Sequence, residues 1–98
     1  MLTFNLKKEW FEKIKSGEKT HEYREVKPYW DKRLLKLYHF LKTMRIMGRI
    51  YTADCVFRLG YTKEQLDARI VRITIINGKN TDLAIDKDVY DIEFELVG

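Results

Sequence analysis

Residues 16–25 read SGEKTHEYRE, a turn glycine followed by a dense set of polar and titratable side chains. Gly17 can take the left-handed backbone conformation that ends a helix, and residues 19–25 after it are predicted to form a strand. On a strand, Glu22 and Arg24 point to the same side, about 7 Å apart at Cα. The segment therefore predicts a helix end, a short strand and either a solvated sheet edge or a binding site.

The flanking sequence predicts about five strands and two helices, with the helices in the first half of the chain. LTFNL at 2–6 alternates like a half-buried strand, and residues 7–16 carry apolar side chains at helical spacing. Pro28 suits the first turn of a second helix over 28–44, within which residues 37–41 (LYHFL) also fit a short extended piece. Further strands are expected at 53–59, 68–76 and 89–97, and residues 62–66 (TKEQL) are expected to form a polar or helical turn. INGKN at 76–80 is a turn signal.

Length and composition limit the kinds of protein this chain can be. At 98 residues we expect one domain covering 1–98, too small to enclose a large interior cavity, so any site is a surface cleft. The single cysteine, Cys55, lies in an apolar run typical of a buried, inert thiol. No apolar stretch approaches 18 residues and no signal peptide precedes LTFNL, so we expect no membrane span and a cytoplasmic location.

The net charge of +4 is unevenly distributed. Residues 1–45 contain twelve Lys or Arg and six Asp or Glu, a net of +6, whereas residues 46–98 contain seven and nine, a net of −2. A basic half suits a phosphate-bearing partner such as RNA. Solvated lysines on helix surfaces account for the same pattern, and charge alone favours that interpretation.

The candidate site residues follow from strand parity. A carboxylate beside a guanidinium, as at Glu22 and Arg24, suits a nucleobase edge or a phosphate, and Lys19 lies close enough in sequence to reach the same cleft. The alternative is an ion-paired strand surface with no further role. Tyr61, after Gly60 at a strand end, is a candidate for stacking on a base, whereas Tyr23 and Trp30 fit core packing better. Two histidines and one cysteine form no recognised metal set, so neither a metal nor a cofactor is expected.

Several motifs together resemble the ASCH domain family, a branch of the PUA-like superfold. They are the strand–helix start with Lys7, Lys8 and Trp10-Phe11, the core G-x-K-x-x-E-Y-R at 17–24, Lys27-Pro28-Tyr29-Trp30, and Phe57-x-x-Gly60-Tyr61. The resemblance covers residues 2 to about 61 and is closest to the small single-domain forms found in phage and bacteria. Residues 77–98 match less well, because NGKNTDLAIDKD stands where related forms often carry a Gly- and Trp-containing loop.

The resemblance implies an α+β fold, a small, partly open β-barrel of five to six strands with two helices packed on one side. It also implies RNA or a modified nucleoside as the partner, with ligand-binding residues Lys7, Lys8, Thr20, Arg24 and Tyr61. Some small ASCH proteins hydrolyse N4-acetylcytidine, and on that comparison Lys19 and Glu22 are candidate catalytic residues. The family's proposed nucleophile is a threonine at the position of Glu22. A carboxylate there can act as a base toward water but is not an equivalent nucleophile.

Three functions are therefore open. The first is an RNA- or nucleoside-binding domain whose cleft surrounds the motif at 17–24. The second is an amidohydrolase of N4-acylated cytidine, or a metal-independent ribonuclease, that uses Lys19 and Glu22. The third is a protein–protein adaptor, which only small size and exposed charge suggest. The oligomeric state is not determined by the sequence.

Overall fold

The computed structural model describes residues 1–98 and has an α+β fold, as the sequence predicts. It has five strands and two α-helices: two strands alternate with the two helices in the first half of the chain, and the other three strands lie in the second half. In chain order the elements are β1 (Leu2–Leu6), α1 (Lys8–Lys15), β2 (His21–Glu25), α2 (Pro28–Ile46), β3 (Ala53–Leu59), β4 (Gln65–Asn77) and β5 (Asp88–Leu96), with a short 3-10 turn at Gly78–Asn80.

All five strands form one curled sheet in the order β1-β3-β4-β5-β2. β1 and β3 run parallel, and the other neighbouring pairs are antiparallel. A bulge lies between Ile70 and Arg72, where the Arg45 guanidinium at the end of α2 donates to the Val71 carbonyl oxygen, 3.2 Å away. The two edge strands, β1 and β2, do not pair with each other. We call the open side between them the seam.

One apolar cluster of 15 buried residues fills the concave side of the sheet. α1 contributes Phe11 and Ile14, spaced three apart so that both point inward. α2 contributes Trp30, Leu34 and Leu41 at helical spacing. The other members are Phe4, Leu6, Cys55, Phe57, Ala68, Ile70, Ile73, Tyr90, Ile92 and Phe94.

Most predicted elements are confirmed, and the differences have local causes. Residues 37–41 continue α2 without a break, because Leu37 and Tyr38 pack against the core from a helix. Gly17 ends α1 with φ +84°, the left-handed conformation that was expected. β4 begins at Gln65, earlier than predicted, because its first residues pair with β3. No helix is both long enough and apolar enough to cross a membrane.

Cys55 is buried and unpaired, as expected. Burial, with a smaller contribution from the Asp54 carboxylate, raises the pKa of its thiol to about 12. Since the thiolate is the reactive form, this side chain acts as a small apolar group.

The connection between β4 and β5 is ordered by one glycine. The Gly78 carbonyl oxygen accepts hydrogen bonds from the backbone N–H groups of Thr81 and Ile85 and from the Thr81 hydroxyl, at 3.2, 3.2 and 2.8 Å. The Gly78 N–H in turn donates to the Lys87 carbonyl oxygen at 2.7 Å. The loop is therefore folded back on its own start, which gives residues 81–85 a fixed position beside the sheet.

We expect Gly78→Ala to destabilise the protein by about 1–3 kcal/mol, because the added methyl group overpacks this turn. A Cβ there lies 2.6 Å from Val89 Cγ1 and 3.0 Å from the Ile85 carbonyl oxygen. Urea unfolding measures the change, with Gly98→Ala as the control, since nothing lies within 4 Å of a Cβ at that position. Equal stability of the two variants would contradict this account of the loop.

Candidate functional site

A cleft of about 450 Å³ opens at the seam. Its walls come from four parts of the chain: the end of β1 with the start of α1, the strand β2, the start of α2, and the β4–β5 connection. We call it the seam cleft. Its lining residues are Asn5, Leu6, Lys7, Trp10, Glu22, Tyr23, Arg24, Glu25, Lys27, Trp30, Asp82, Leu83 and Ile85.

Glu22 is the only charged residue in the protein that is fully buried, with 6% of its surface exposed. It lies on β2 opposite Ile92 of β5, and Arg24 lies two residues further on the same face. The Arg24 guanidinium donates to Glu22 Oε2 at 2.6 Å, a short, charge-assisted contact. The strand parity expected from the sequence therefore places these two side chains in direct contact.

Arg24 also joins the two edges of the sheet. Its Nη2 group donates to the Asn5 carbonyl oxygen of β1, 3.2 Å away. The guanidinium carbon lies 4.9 Å from the centre of the Trp30 ring and 5.3 Å from that of Phe4, within range of cation–π attraction. Its Nε atom is buried and has no hydrogen-bond partner. Arg24 is thus held at the floor of the seam cleft by a carboxylate, a carbonyl and two rings.

Lys19 is positioned by the end of α1. After Gly17 the chain folds back, and the Lys19 N–H donates to the Lys13 carbonyl oxygen at 3.0 Å. The side chain is 8% exposed, and its ammonium lies 3.4 Å from Glu22 Oε1 and in contact with the Asp82 carboxylate. It is also 5.1 Å from the ring centres of both Trp10 and Tyr23. Both oxygens of Glu22 therefore face a cation, Lys19 on one side and Arg24 on the other.

A second hollow, of about 300 Å³, adjoins the seam cleft. We call it the side hollow. It shares three wall residues with the seam cleft, Trp10, Tyr23 and Asp82. Its remaining lining residues are Lys13, Glu18, Lys19, Thr20 and His21.

Two polar groups on β2 belong to this region as well. The pKa of the Tyr23 hydroxyl is raised above its usual value, first by burial and then by the carboxylates of Asp91, Asp82 and Glu22, so the phenol stays a neutral donor well above neutral pH. His21 Nδ1 lies 2.6 Å from Asp91 Oδ1, which fixes the orientation of the imidazole. No group of three or more His, Cys, Asp or Glu side chains is arranged to hold a metal ion.

The structure brings only some of the sequence-predicted site residues together. Lys7, Glu22 and Arg24 line the seam cleft, and Lys19 lines the side hollow and contacts Glu22 of the seam cleft. Thr20 lines the side hollow, while its backbone carbonyl accepts from the Phe94 N–H at 3.2 Å. Lys8 and Tyr61 are exposed and line neither, so their predicted role has no geometric support from the cleft.

Several other residues of the cleft were not predicted from the sequence as site residues. Asp82 comes from the β4–β5 connection and reaches Lys19 across 63 positions of sequence. Trp10 was assigned to the apolar face of α1, and Lys27 was noted only in the KPYW motif. Trp30, expected in the core, is largely buried there, but one side of it also lines the cleft.

The charges of the seam cleft are balanced. Three cationic side chains, Lys7, Arg24 and Lys27, face three carboxylates, Glu22, Glu25 and Asp82. The cleft is therefore not the uniformly basic groove that binds phosphate alone. It suits a ligand with hydrogen-bond donors and acceptors on one edge and a flat apolar face.

The family model of the ASCH domain matches residues 4–96, almost the whole chain. The chain therefore belongs to the ASCH domain family, as the motifs at 7–30 and 57–61 suggested. ASCH domains have a PUA-like fold that is associated with RNA binding. No curated protein matches the chain.

We expect Glu22→Ala to destabilise the protein by about 3 kcal/mol, because it leaves the Arg24 and Lys19 charges in a largely buried site without their shared carboxylate. The matched control is Glu95→Ala, which removes an exposed partner 3.5 Å from Arg69 and costs less than about 1 kcal/mol. Chemical denaturation of both variants measures the difference. Similar small losses for the two would mean that Glu22 does not hold the cleft together.

Proposed function

We propose that this ASCH domain, formed by residues 1–98, binds single-stranded RNA and receives one nucleobase in the seam cleft. The observation that carries the proposal is the convergence of the buried Glu22–Arg24 pair and the rings of Trp10 and Tyr23 on one concave site. A volume of about 450 Å³ falls within the roughly 300–1,000 Å³ of small-ligand sites.

The polar groups of the cleft supply both halves of a base-recognition pattern. The carboxylate of Glu22 or Glu25 accepts from an exocyclic amine, and the Arg24 guanidinium or the neutral Tyr23 hydroxyl donates to a ring nitrogen or a carbonyl oxygen. Single-stranded RNA presents these edges unpaired, whereas a duplex hides them. A single-stranded or flipped-out base is therefore the ligand that the cleft chemistry favours.

Aromatic side chains supply the flat surface that a base needs. Trp10 is partly exposed, and two ammonium groups, of Lys13 and Lys19, lie 5.0 and 5.1 Å from its ring centre. A base stacked on Trp10 or Tyr23 gains about 1–3 kcal/mol. Lys7 and Lys27 at the cleft are available to the phosphates on either side of the base.

We expect wild-type protein to bind a short single-stranded RNA in low salt, with affinity falling as salt rises because phosphate contacts release counterions. Trp10→Leu, which keeps apolar bulk but removes the aromatic face, lowers the affinity about 5- to 100-fold. Fluorescence anisotropy of a labelled RNA measures both effects.

Tyr51→Ala is the control for that variant, because Tyr51 is exposed and lines neither hollow. It leaves the affinity within about twofold, the usual scatter of a surface substitution. Absence of binding at low salt, or equal effects of the two substitutions, would contradict a base site beside Trp10.

A second candidate function is hydrolysis of an N4-acylated cytidine. One observation favours it: the Lys19 ammonium lies 3.4 Å from Glu22 Oε1, so the cation and the carboxylate that the reaction needs are side by side. In that reaction water would attack the acyl carbon while Glu22 takes its proton, and Lys19 would stabilise the oxyanion. The C–N bond would then break, and Glu22 would pass the proton to the departing N4 amine of cytidine. Each Glu22 oxygen already contacts a cation, so this carboxylate is better suited to holding Arg24 and Lys19 in place than to accepting a proton from water. We therefore rank RNA binding ahead of hydrolysis.

We expect purified protein to bind N4-acetylcytidine without releasing cytidine faster than buffer does, because Glu22 is held by two cations. Chromatographic detection of cytidine over time measures the rate. Release by the wild-type protein that disappears in Lys19→Ala would establish the hydrolase instead.

A further inference from the structure

The seam cleft and the side hollow adjoin each other and share Trp10, Tyr23 and Asp82 as walls. Lys19 lines the side hollow, and its ammonium contacts Glu22 and Asp82 of the seam cleft and lies 5.1 Å from the centres of both shared rings. A ligand that occupies both hollows therefore passes beside Lys19.

The two carboxylates that neutralise Lys19 differ in how firmly they are held. Glu22 is buried and is also bonded to Arg24 at 2.6 Å, so it cannot leave without stranding a second charge. The Asp82 side chain is 33% exposed, and Lys19 is its only hydrogen-bond or salt-bridge partner. The loop that carries Asp82 is held in place by the hydrogen bonds of Gly78. A rotation of the Asp82 side chain is therefore enough to move its carboxylate into water.

An internucleotide phosphate carries the same single negative charge as the Asp82 carboxylate and offers equivalent acceptor oxygens to an ammonium. If the phosphate replaces the Asp82 carboxylate, the net charge around Lys19 stays the same. No buried polar group loses its partner. A free nucleoside has no such group, so it cannot take the place of Asp82.

We propose that the ligand is a strand of at least two linked nucleotides, one in the seam cleft and the next in the side hollow, with their connecting phosphate replacing the Asp82 carboxylate on Lys19. This inference rests on the proposed function and specifies the ligand further, as two linked nucleotides in place of a single nucleobase. The side hollow, with Lys13, His21 and the shared face of Trp10, is the second subsite. Asp82 is the anion that occupies the phosphate position in the free protein.

The test compares four dinucleoside monophosphates (ApA, CpC, GpG and UpU) with the four matching nucleosides by calorimetric titration. The wild-type protein binds its preferred dinucleoside monophosphate at least tenfold more tightly than the matching nucleoside. Asp82→Asn tightens that binding about three- to fivefold, because it removes the competing anion.

Two further variants separate this mechanism from a general charge effect. Asp86→Asn removes the same charge from the same connection, but Asp86 bonds to Asn77 at 2.9 Å and lines neither hollow, so it changes dinucleotide binding less than twofold. In a Lys19→Met background the gain from Asp82→Asn disappears.

Each contrary result has a distinct meaning. If nucleosides bind but linked dinucleosides bind no more tightly, the two-subsite inference is wrong and the base site stands. A loss of dinucleotide affinity in Asp82→Asn, or an equal gain in Asp86→Asn, also overturns the inference. If none of the eight compounds binds, the proposed function fails together with it.

Discussion

The Arg24 side chain extends from β2 across the open side of the sheet and donates to the Asn5 carbonyl oxygen of β1. The rest of the site is arranged around this contact. A guanidinium that is largely buried needs a carboxylate, and Glu22 on the same strand face supplies it. A closed barrel would have satisfied both edge strands with a backbone ladder. Here the Arg24 side chain, flanked by the rings of Phe4 and Trp30, joins the two edges. The seam cleft is the space beside these side chains.

The other walls of the cleft depend on the same buried charges. Glu22 attracts Lys19, whose position is set by the fold-back of the chain after Gly17. Lys19 in turn meets Asp82 on a loop that is shaped by the Gly78 carbonyl. The second strand and the last connection are therefore coupled through three consecutive ion pairs, and the hydrogen bond from Arg24 to Asn5 adds the first strand. Such a network is favourable while its charges stay paired, which accounts for three of the titratable residues in 16–25, namely Lys19, Glu22 and Arg24.

Local rules predicted much of this arrangement. Strand parity placed Glu22 beside Arg24, and the turn glycine set the end of α1 where the structure has it. Asp82 was not predictable in the same way, because its contact with Lys19 joins distant segments and depends on the path of a loop with no periodic pattern. Lys8 was chosen from a motif and Tyr61 from a motif and its place at a strand end, and neither kind of signal records which way a side chain points. The charge balance of the cleft was not predictable either, because Asp82 lines the cleft only as a result of the path of this loop.

The central claim is that a nucleobase enters the cleft at the seam and meets Arg24 on its floor. Side-chain NMR during titration with a short single-stranded RNA tests it most directly, with the Arg24 Nε–H and the Trp10 and Trp30 indole N–H groups as reporters. The account predicts that the Arg24 and Trp10 signals shift together and saturate with one affinity, and that the signals of exposed residues on α2 such as Phe40 stay in place. Shifts confined to the outer face of α2, with the Arg24 signal unchanged, would contradict it.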